Sequence, residues 1–143
     1  MPAIRRGAIG DLAAIAQIQA ASPEAAHWDP VEYLSYDLLV AVCENNVTGF
    51  LVTRHLGVPE EGNRECEILN LAVAPTLRRR GIARRLFETR FAGYLGAIYL
   101  EVRESNQEAR NFYESLGFKE VSRRPEYYLS PTEAAIVMKF HSC

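Results

Sequence analysis

Leu69-Asn70-Leu71-Ala72-Val73-Ala74-Pro75-Thr76-Leu77-Arg78-Arg79-Arg80-Gly81-Ile82-Ala83-Arg84-Arg85-Leu86 is the stretch on which the fold turns. An apolar strand passes through a short link into an arginine-rich helix start. Such a junction gathers unpaired backbone N–H groups and the positive end of the helix dipole at one point, a combination that suits phosphate. Gly81 and Ala83 carry little or no side chain, so a pyrophosphate can approach the backbone, and the arginines add charge-assisted donors. A solvated basic helix start, or one that touches nucleic acid, is the other reading of the same residues. Against nucleic acid stand Glu60, Glu61, Glu65 and Glu67, close by in sequence, where a basic face at domain scale is expected instead. No G-x-x-x-x-G-K follows a strand, which excludes a P-loop.

Downstream of this junction, Ile82, Ala83, Leu86, Phe87, Phe91 and Leu95 recur at helical intervals, with Gly93 and Gly96 marking the helix end. Ala97 to Arg103 then alternates strictly, sending Ile98, Leu100 and Val102 to one face of a strand and Tyr99, Glu101 and Arg103 to the other. Ser105-Asn106-Gln107-Glu108 reads as a capping box, followed by a helical stripe of Ala109, Phe112, Tyr113 and Leu116 closed by Gly117. Phe118 to Ser122 and Ala134 to Phe140 supply two closing strands.

Upstream, Ile4 to Arg6 reads as a short strand and Asp11 as the N-cap of a helix bearing Leu12, Ile15, Ala16 and Ile18, stopped by Ser22-Pro23. Val31 to Tyr36 predicts a second short helix entered through Pro30. Leu38 to Glu44 and Val47 to Arg54 form an antiparallel hairpin around Asn45-Asn46, and the breaker-rich 57–63 link precedes a strand over Cys66 to Val73. The expected fold is α/β (α+β), a single mixed, mostly antiparallel sheet of six to seven strands flanked by helices, in one domain over residues 1–143.

Composition sets outer bounds. The chain has 143 residues, 48% hydrophobic and 24% charged, with net charge -2, so no global positive field draws it to nucleic acid or an anionic membrane. Cys43, Cys66 and Cys143 are widely spaced without a C-x-x-C pair, which suits a reducing cytosol. No signal-peptide pattern or apolar run of about 20 residues is present, so a cytoplasmic protein is expected. His27, His55 and His141 show no ligand spacing, and no metal is expected.

Arg78-x-x-Gly81-x-Ala83 after Leu71-Ala72-Val73 resembles the acetyl-CoA motif of the GNAT superfamily of N-acetyltransferases. Leu100-Glu101-Val102-Arg103-Glu104-Ser105-Asn106, with Ala109 and Asn111-Phe112-Tyr113-Glu114-Ser115-Leu116-Gly117-Phe118, resembles it too, and most closely the bacterial ribosomal-protein-alanine N-acetyltransferases. The resemblance covers Leu69 to Phe140, about half the chain. It implies the GNAT acyl-CoA N-acyltransferase fold, acetyl-CoA as co-substrate and an amine acceptor, with Leu71, Ala72, Val73, Arg78, Arg79, Arg80, Gly81, Ile82, Ala83, Arg84 and Asn106 on the cofactor. It implies an oxyanion donor at a backbone N–H near Leu71, on a strand that the family bulges.

By the same resemblance Tyr113 is the acid toward the departing thiolate. With ordinary pKa values of about 10 and 8.5, full proton transfer from phenol to thiolate is uphill by roughly 2 kcal/mol, so a hydrogen bond suffices. Glu101 corresponds to the general base, and Glu67 competes with it, standing where other branches of the superfamily place that group. The plainer readings are a core aromatic for Tyr113 and an exposed strand carboxylate for Glu101. Arg123-Arg124-Pro125-Glu126-Tyr127-Tyr128 resembles the segment shaping the peptide entrance in protein N-terminal acetyltransferases, which makes Tyr127 and Tyr128 substrate contacts; a surface loop packed on the sheet edge is the alternative. Leu129 in place of a proline, a shorter loop, and Ala134 in place of an acidic residue depart from that pattern.

An α-amine with a pKa of about 7.7–8.0 is partly neutral at pH 7 whereas lysine at about 10.4 is not, so a single carboxylate base fits an N-terminus or a weakly basic small amine. The acceptor is thus a protein N-terminus or, alternatively, a polyamine, amino acid or aminoglycoside. A non-catalytic acyl-CoA-binding module is the remaining possibility. The expected state is a monomer or weak homodimer.

Overall fold

A computed structural model of the chain describes residues 2–22, 28–57, 64–129 and 132–142. Pro23 as helix stop, His27, Glu60, Glu61, most of the breaker-rich link and Cys143 lie outside the described residues. The strands are β1 (Ala3–Arg6), β2 (Asp37–Cys43), β3 (Asn46–His55), β4 (Glu65–Val73), β5 (Gly96–Arg103), β6 (Lys119–Tyr128) and β7 (Glu133–Ser142). The α-helices are α1 (Leu12–Ala20), α2 (Ile82–Phe91) and α3 (Gln107–Leu116), with short 3-10 turns at Ile9–Asp11, Pro30–Ser35 and Pro75–Leu77. One seven-stranded sheet runs in the order β1-β2-β3-β4-β5-β7-β6. β4 and β5 are parallel, while β1–β2, β2–β3, β5–β7 and β6–β7 are antiparallel, which is the mixed sheet expected. Among the described residues no helix is long and apolar enough to cross a membrane. The chain divides into two compact units, Met1–Arg54 with Leu69–Gly93, and His55–Ile68 with Tyr94–Cys143.

The first unit is built on Ile15, Ile18, Tyr33, Leu38, Val40, Phe50, Val52 and Ala72, all buried. Inside this apolar set lies a polar cluster. The Tyr33 hydroxyl donates to Gln19 Oε1 at 2.5 Å, and Asn70 Nδ2 donates to the Tyr33 oxygen at 3.0 Å. Gln19 Nε2 in turn donates to the Trp28 carbonyl at 2.6 Å. Buried groups so satisfied tie α1, the 30–35 turn and β4 together, and leaving one unmade costs about 1–3 kcal/mol.

Asp11 stands at the N-cap of α1 as read, but its side chain does not cap that helix: its carboxylate accepts from Ala8 N–H at 2.8 Å and pairs with Arg5 at 2.9 Å. Two other readings of this unit need correction. Ala16 is exposed and Gln19 takes its place on the buried face, because the polar cluster gives the amide partners. The β2–β3 turn residues are Glu44 and Asn45, with φ 49° and 67°, one position earlier than Asn45-Asn46. Cys43 then faces Asn46, giving the two-residue turn with both φ positive that matches strand twist.

In the second unit β5 keeps the expected alternation, with Ile98, Leu100 and Val102 buried and Tyr99, Glu101 and Arg103 partly exposed. Leu95 is 63% exposed and lies beyond α2, and Gly96 opens β5 instead of closing the helix. Gly96 has φ 146°, and a Cβ there would fall 2.2 Å from the Arg64 carbonyl oxygen. α3 ends on Gly117 at φ 110°, whose N–H reaches Glu114 O while Phe118 N–H reaches Tyr113 O.

β6 is twice as long as read, since Arg123 to Tyr128 belongs to the strand and not to a loop. Its place at the end of the sheet order explains why Pro125 is tolerated: an edge strand has one side on which no N–H is needed. A register shift between Arg124 and Tyr128, with Glu126 at φ 53°, accommodates the extra residues.

Candidate functional site

The phosphate-type turn lies wholly in the first unit. β4 delivers the chain to Arg78, after which Arg79 at φ 65° and Gly81 at φ 80° turn it into α2. Arg78 through Gly81 are exposed, while Ile82, 4% exposed, anchors the helix start in the core. An ideal Cβ on Gly81 would meet nothing within 4 Å, so the glycine answers to the backbone angle, and the space above it is open. Arg85 N–H to Gly81 O, at 3.0 Å, joins the cap to the helix, and the cap offers no side chain to the amides of the first turn. First-turn amides without a capping side chain, open space over Gly81 and exposed arginines together could hold a diphosphate.

Arg78 has a bracing part in this cradle. Its Nε donates to Val73 O at 3.3 Å and its Nη2 to Ser22 Oγ at 2.8 Å, fixing the turn against the end of β4. Ala72 and Val73 are buried and Leu71 partly so; Ala83 is partly buried and Arg79, Arg80 and Arg84 are exposed.

Glu101, Glu67, Tyr113, Asn106, Tyr127 and Tyr128 all belong to the second unit. Pairing of β4 with β5 sets Glu67 opposite Tyr99, two residues from Glu101. Burial raises the Glu101 carboxyl above its ordinary range and the charge of Glu67 adds to this, while Arg124 pulls it down. Arg124 Nη2 lies 3.2 Å from Glu101 Oε1. Sequence reasoning gave this arginine no partner, because the pairing depends on the register of β6.

Around this carboxylate the aromatic and charged groups interlock. Arg124 lies 5.4 Å from the centroid of the Tyr127 ring, Tyr127 packs edge-on to Tyr128 at 5.2 Å, and Arg103 stands over Tyr128 at 4.3 Å. Arg103 is held by Glu133 at 2.9 Å, and Glu133 also accepts from the Ser105 amide and hydroxyl, each at 3.1 Å. The hydrogen bond from Arg103, with those from Ser105, keeps Glu133 below the usual carboxylate range. Burial pushes the Tyr128 phenol up, and neighbouring Glu101 adds to it.

Because Glu133 engages Ser105, the N-cap of α3 is Asn106, whose Oδ1 accepts from Ala109 N–H at 3.1 Å; the capping box on Ser105 is not formed. Asn106 thus serves the helix start. One helix face on, Tyr113 is buried, with its ring against Phe112 at 5.3 Å and Phe118 at 5.4 Å. Burial alone raises its phenol far above the ordinary tyrosine range. Its hydroxyl makes no hydrogen bond among the described residues. No cluster of three or more His, Cys, Asp or Glu among the described residues is arranged to hold a metal ion.

The family described as Acetyltransferase (GNAT) domain matches residues 35–120. The chain belongs to the GNAT acetyltransferase family. Among curated GNAT relatives, the [ribosomal protein bS18]-alanine N-acetyltransferase of Salmonella typhimurium is 42% identical over 83 residues, which is 52% of this chain and 54% of that protein. The chain spans about half the length of the curated relatives it matches. The crystal structure of the ribosomal-protein-S18-alanine N-acetyltransferase from Escherichia coli superposes with TM-score 0.80 at 28% identity, covering 99% of this chain and 94% of that one. Ard1 from Thermoplasma volcanium superposes with TM-score 0.87 at 24% identity, over 99% and 98% of the two chains, and shares the GNAT fold.

Proposed function

We propose that this GNAT chain is an acetyl-CoA-dependent N-acetyltransferase acting on the α-amine of a protein N-terminus, by direct attack in a ternary complex. The observation that carries the reading is Glu101, a partly buried carboxylate whose proton affinity is raised by burial and by Glu67, on the strand face that also carries Arg103. A base in that state accepts a proton from an α-ammonium, whose own pKa is about 7.7–8.0, far more readily than from lysine at about 10.4. The relatives named [ribosomal protein bS18]-alanine N-acetyltransferase act on an alanine of a ribosomal protein, which supports a protein acceptor for this chain.

Acetyl-CoA supplies the acyl group as a thioester. The first-turn amides of α2 and Arg79, Arg80 and Arg84 hold its diphosphate, Arg78 braces the turn, and Leu71, Ala72, Val73, Gly81, Ile82, Ala83 and Asn106 complete the contacts. Glu101 takes one proton from the acceptor ammonium, with Glu67 as the competing base, and frees the nitrogen lone pair to form the C–N bond. A backbone N–H near Leu71 steadies the carbonyl oxygen as it becomes anionic. As the C–S bond breaks, Tyr113 donates a hydrogen bond to the departing thiolate, and the second amine proton leaves to solvent. Tyr127 and Tyr128 line the acceptor side.

A library of N-terminal peptides and small amines, incubated with acetyl-CoA and read by mass spectrometry, tests this. Acetyl groups are expected on peptide α-amines. Modification of polyamines or aminoglycosides with no peptide product overturns the acceptor assignment.

A further inference from the structure

We propose that Arg124 is the exchangeable counter-ion of Glu101: an acceptor ammonium takes the place of its guanidinium, which then receives a carbonyl or carboxylate oxygen of the same acceptor. This rests on Glu101 acting as the base.

The pair is unequal. The Glu101 side chain is 20% exposed and that of Arg124 56% exposed, so a largely sequestered carboxylate is held by a cation with water on its far side. Releasing such a cation from an ion pair costs little, because solvent takes over its charge. The other arginines of the segment do not share this position. Arg103 is 23% exposed and clamped to Glu133, which is itself held by Ser105. Arg123 pairs instead with Glu104, a partly exposed carboxylate.

Displaced, the Arg124 guanidinium has a place to stay. It already lies against the Tyr127 ring, and that ring is fixed through Tyr128, Arg103 and Glu133. Stacking on a tyrosine face leaves the guanidinium fork free to grip an oxygen.

Glu101 is faced by Glu67 from β4 and by Arg124 and Tyr128 from β6, while its partner on β7 is Val137, which carries no charge. Lys139, further along β7, stands over the Tyr99 ring at 5.4 Å. Arg124 is therefore the cation set against Glu101 while no acceptor is present. It keeps the base ionised until an ammonium arrives, one positive charge replacing another.

The exchange also defines the acceptor class. A peptide N-terminus carries a carbonyl oxygen just beyond its amine, and an acidic second residue adds a carboxylate; both suit the released guanidinium. A polyamine brings a second cation to the same place and is repelled.

The test uses Arg124→Gln and Arg124→Lys in the full chain, with Glu101→Gln to assign the Glu101 carboxyl resonance in glutamate-labelled protein. Arg124→Gln is expected to move the Glu101 titration midpoint to higher pH, and Arg124→Lys to leave it near wild type. In peptide acetylation, wild type is expected to prefer an acidic over a lysine second residue, and Arg124→Gln to shrink that preference about two- to five-fold in kcat/KM. An unmoved midpoint in Arg124→Gln, or the same preference in both proteins, overturns the proposal. If wild type acetylates no amine, the functional reading fails instead, and the titration, which needs no turnover, still decides whether Arg124 governs Glu101.

Discussion

Replacing Tyr113 with Phe removes one oxygen atom and separates two roles that a buried aromatic can play. The ring packs between Phe112 and Phe118, contacts that a phenylalanine keeps. The hydroxyl makes no hydrogen bond among the described residues, so its loss leaves none of them unsatisfied. The stability cost is therefore under about 0.5 kcal/mol, or roughly 2 °C in Tm for a chain of this size. Catalysis responds on another scale. A single donor aimed at charge that develops in a water-poor site is worth about 2.7–4 kcal/mol, or roughly 10²–10³ in kcat. Burial holds the phenol protonated well past the ordinary tyrosine range, so it acts by hydrogen bonding and adds no basic limb to the pH profile below about pH 10. Steady-state thiol release, coenzyme A calorimetry and a thermal melt read the three quantities on one sample. The expected result is a large fall in kcat, coenzyme A affinity within about two-fold, and an unchanged melt. A kcat within about threefold of wild type refutes the role, and a melt lowered by more than about 5 °C shows that the hydroxyl is structural.

Glu101 must be ionised to accept a proton, and its folded pKa is raised, so kcat/KM should fall with decreasing pH through a midpoint above the ordinary glutamate range; Glu101→Gln should lose that limb and about 10²–10⁴ in rate, and a limb that persists points to Glu67. Gly81→Ala meets no neighbour but forces a side chain to φ 80°, costing about 1–2 kcal/mol by urea denaturation and weakening coenzyme A binding in calorimetry; unchanged affinity speaks against the turn as the diphosphate cradle. Tyr33→Phe deletes the hydroxyl between Gln19 and Asn70 and should lower stability by about 1–3 kcal/mol in the same assay, whereas a change within about 0.5 kcal/mol removes the cluster from the stability argument.

The side on which Glu101 lies was readable from sequence because β5 buries one face only, and a period of two then leaves it no choice. The turn after β4 was readable because its arginines and its glycine answer to local backbone geometry. Local competition blurred other positions. Ser105 and Asn106 are both competent caps, and the choice falls to Glu133, which engages Ser105 from 28 residues away. Glu44 and Asn45, not Asn45 and Asn46, carry the positive φ, a one-step ambiguity that composition does not resolve. β6 was cut short at Ser122 because Pro125 and its charged neighbours are forbidden in an inner strand, and only the strand order shows that β6 is outermost. The Gln19, Tyr33 and Asn70 cluster joins residues up to 51 apart, and the Arg124 to Glu101 pair spans three strands; neither leaves a local trace.

The irregular outer margin of β6 bears on how this protein behaves in a crowded solution. Pro125 has no amide hydrogen, Glu126 twists out of extended geometry, and Arg123 and Arg124 stand just before the break in the ladder. A second polypeptide therefore finds no unbroken row of donors and acceptors on which to lay itself down. The molecule can keep this flank bare for short-lived visitors without seeding filaments of its own kind.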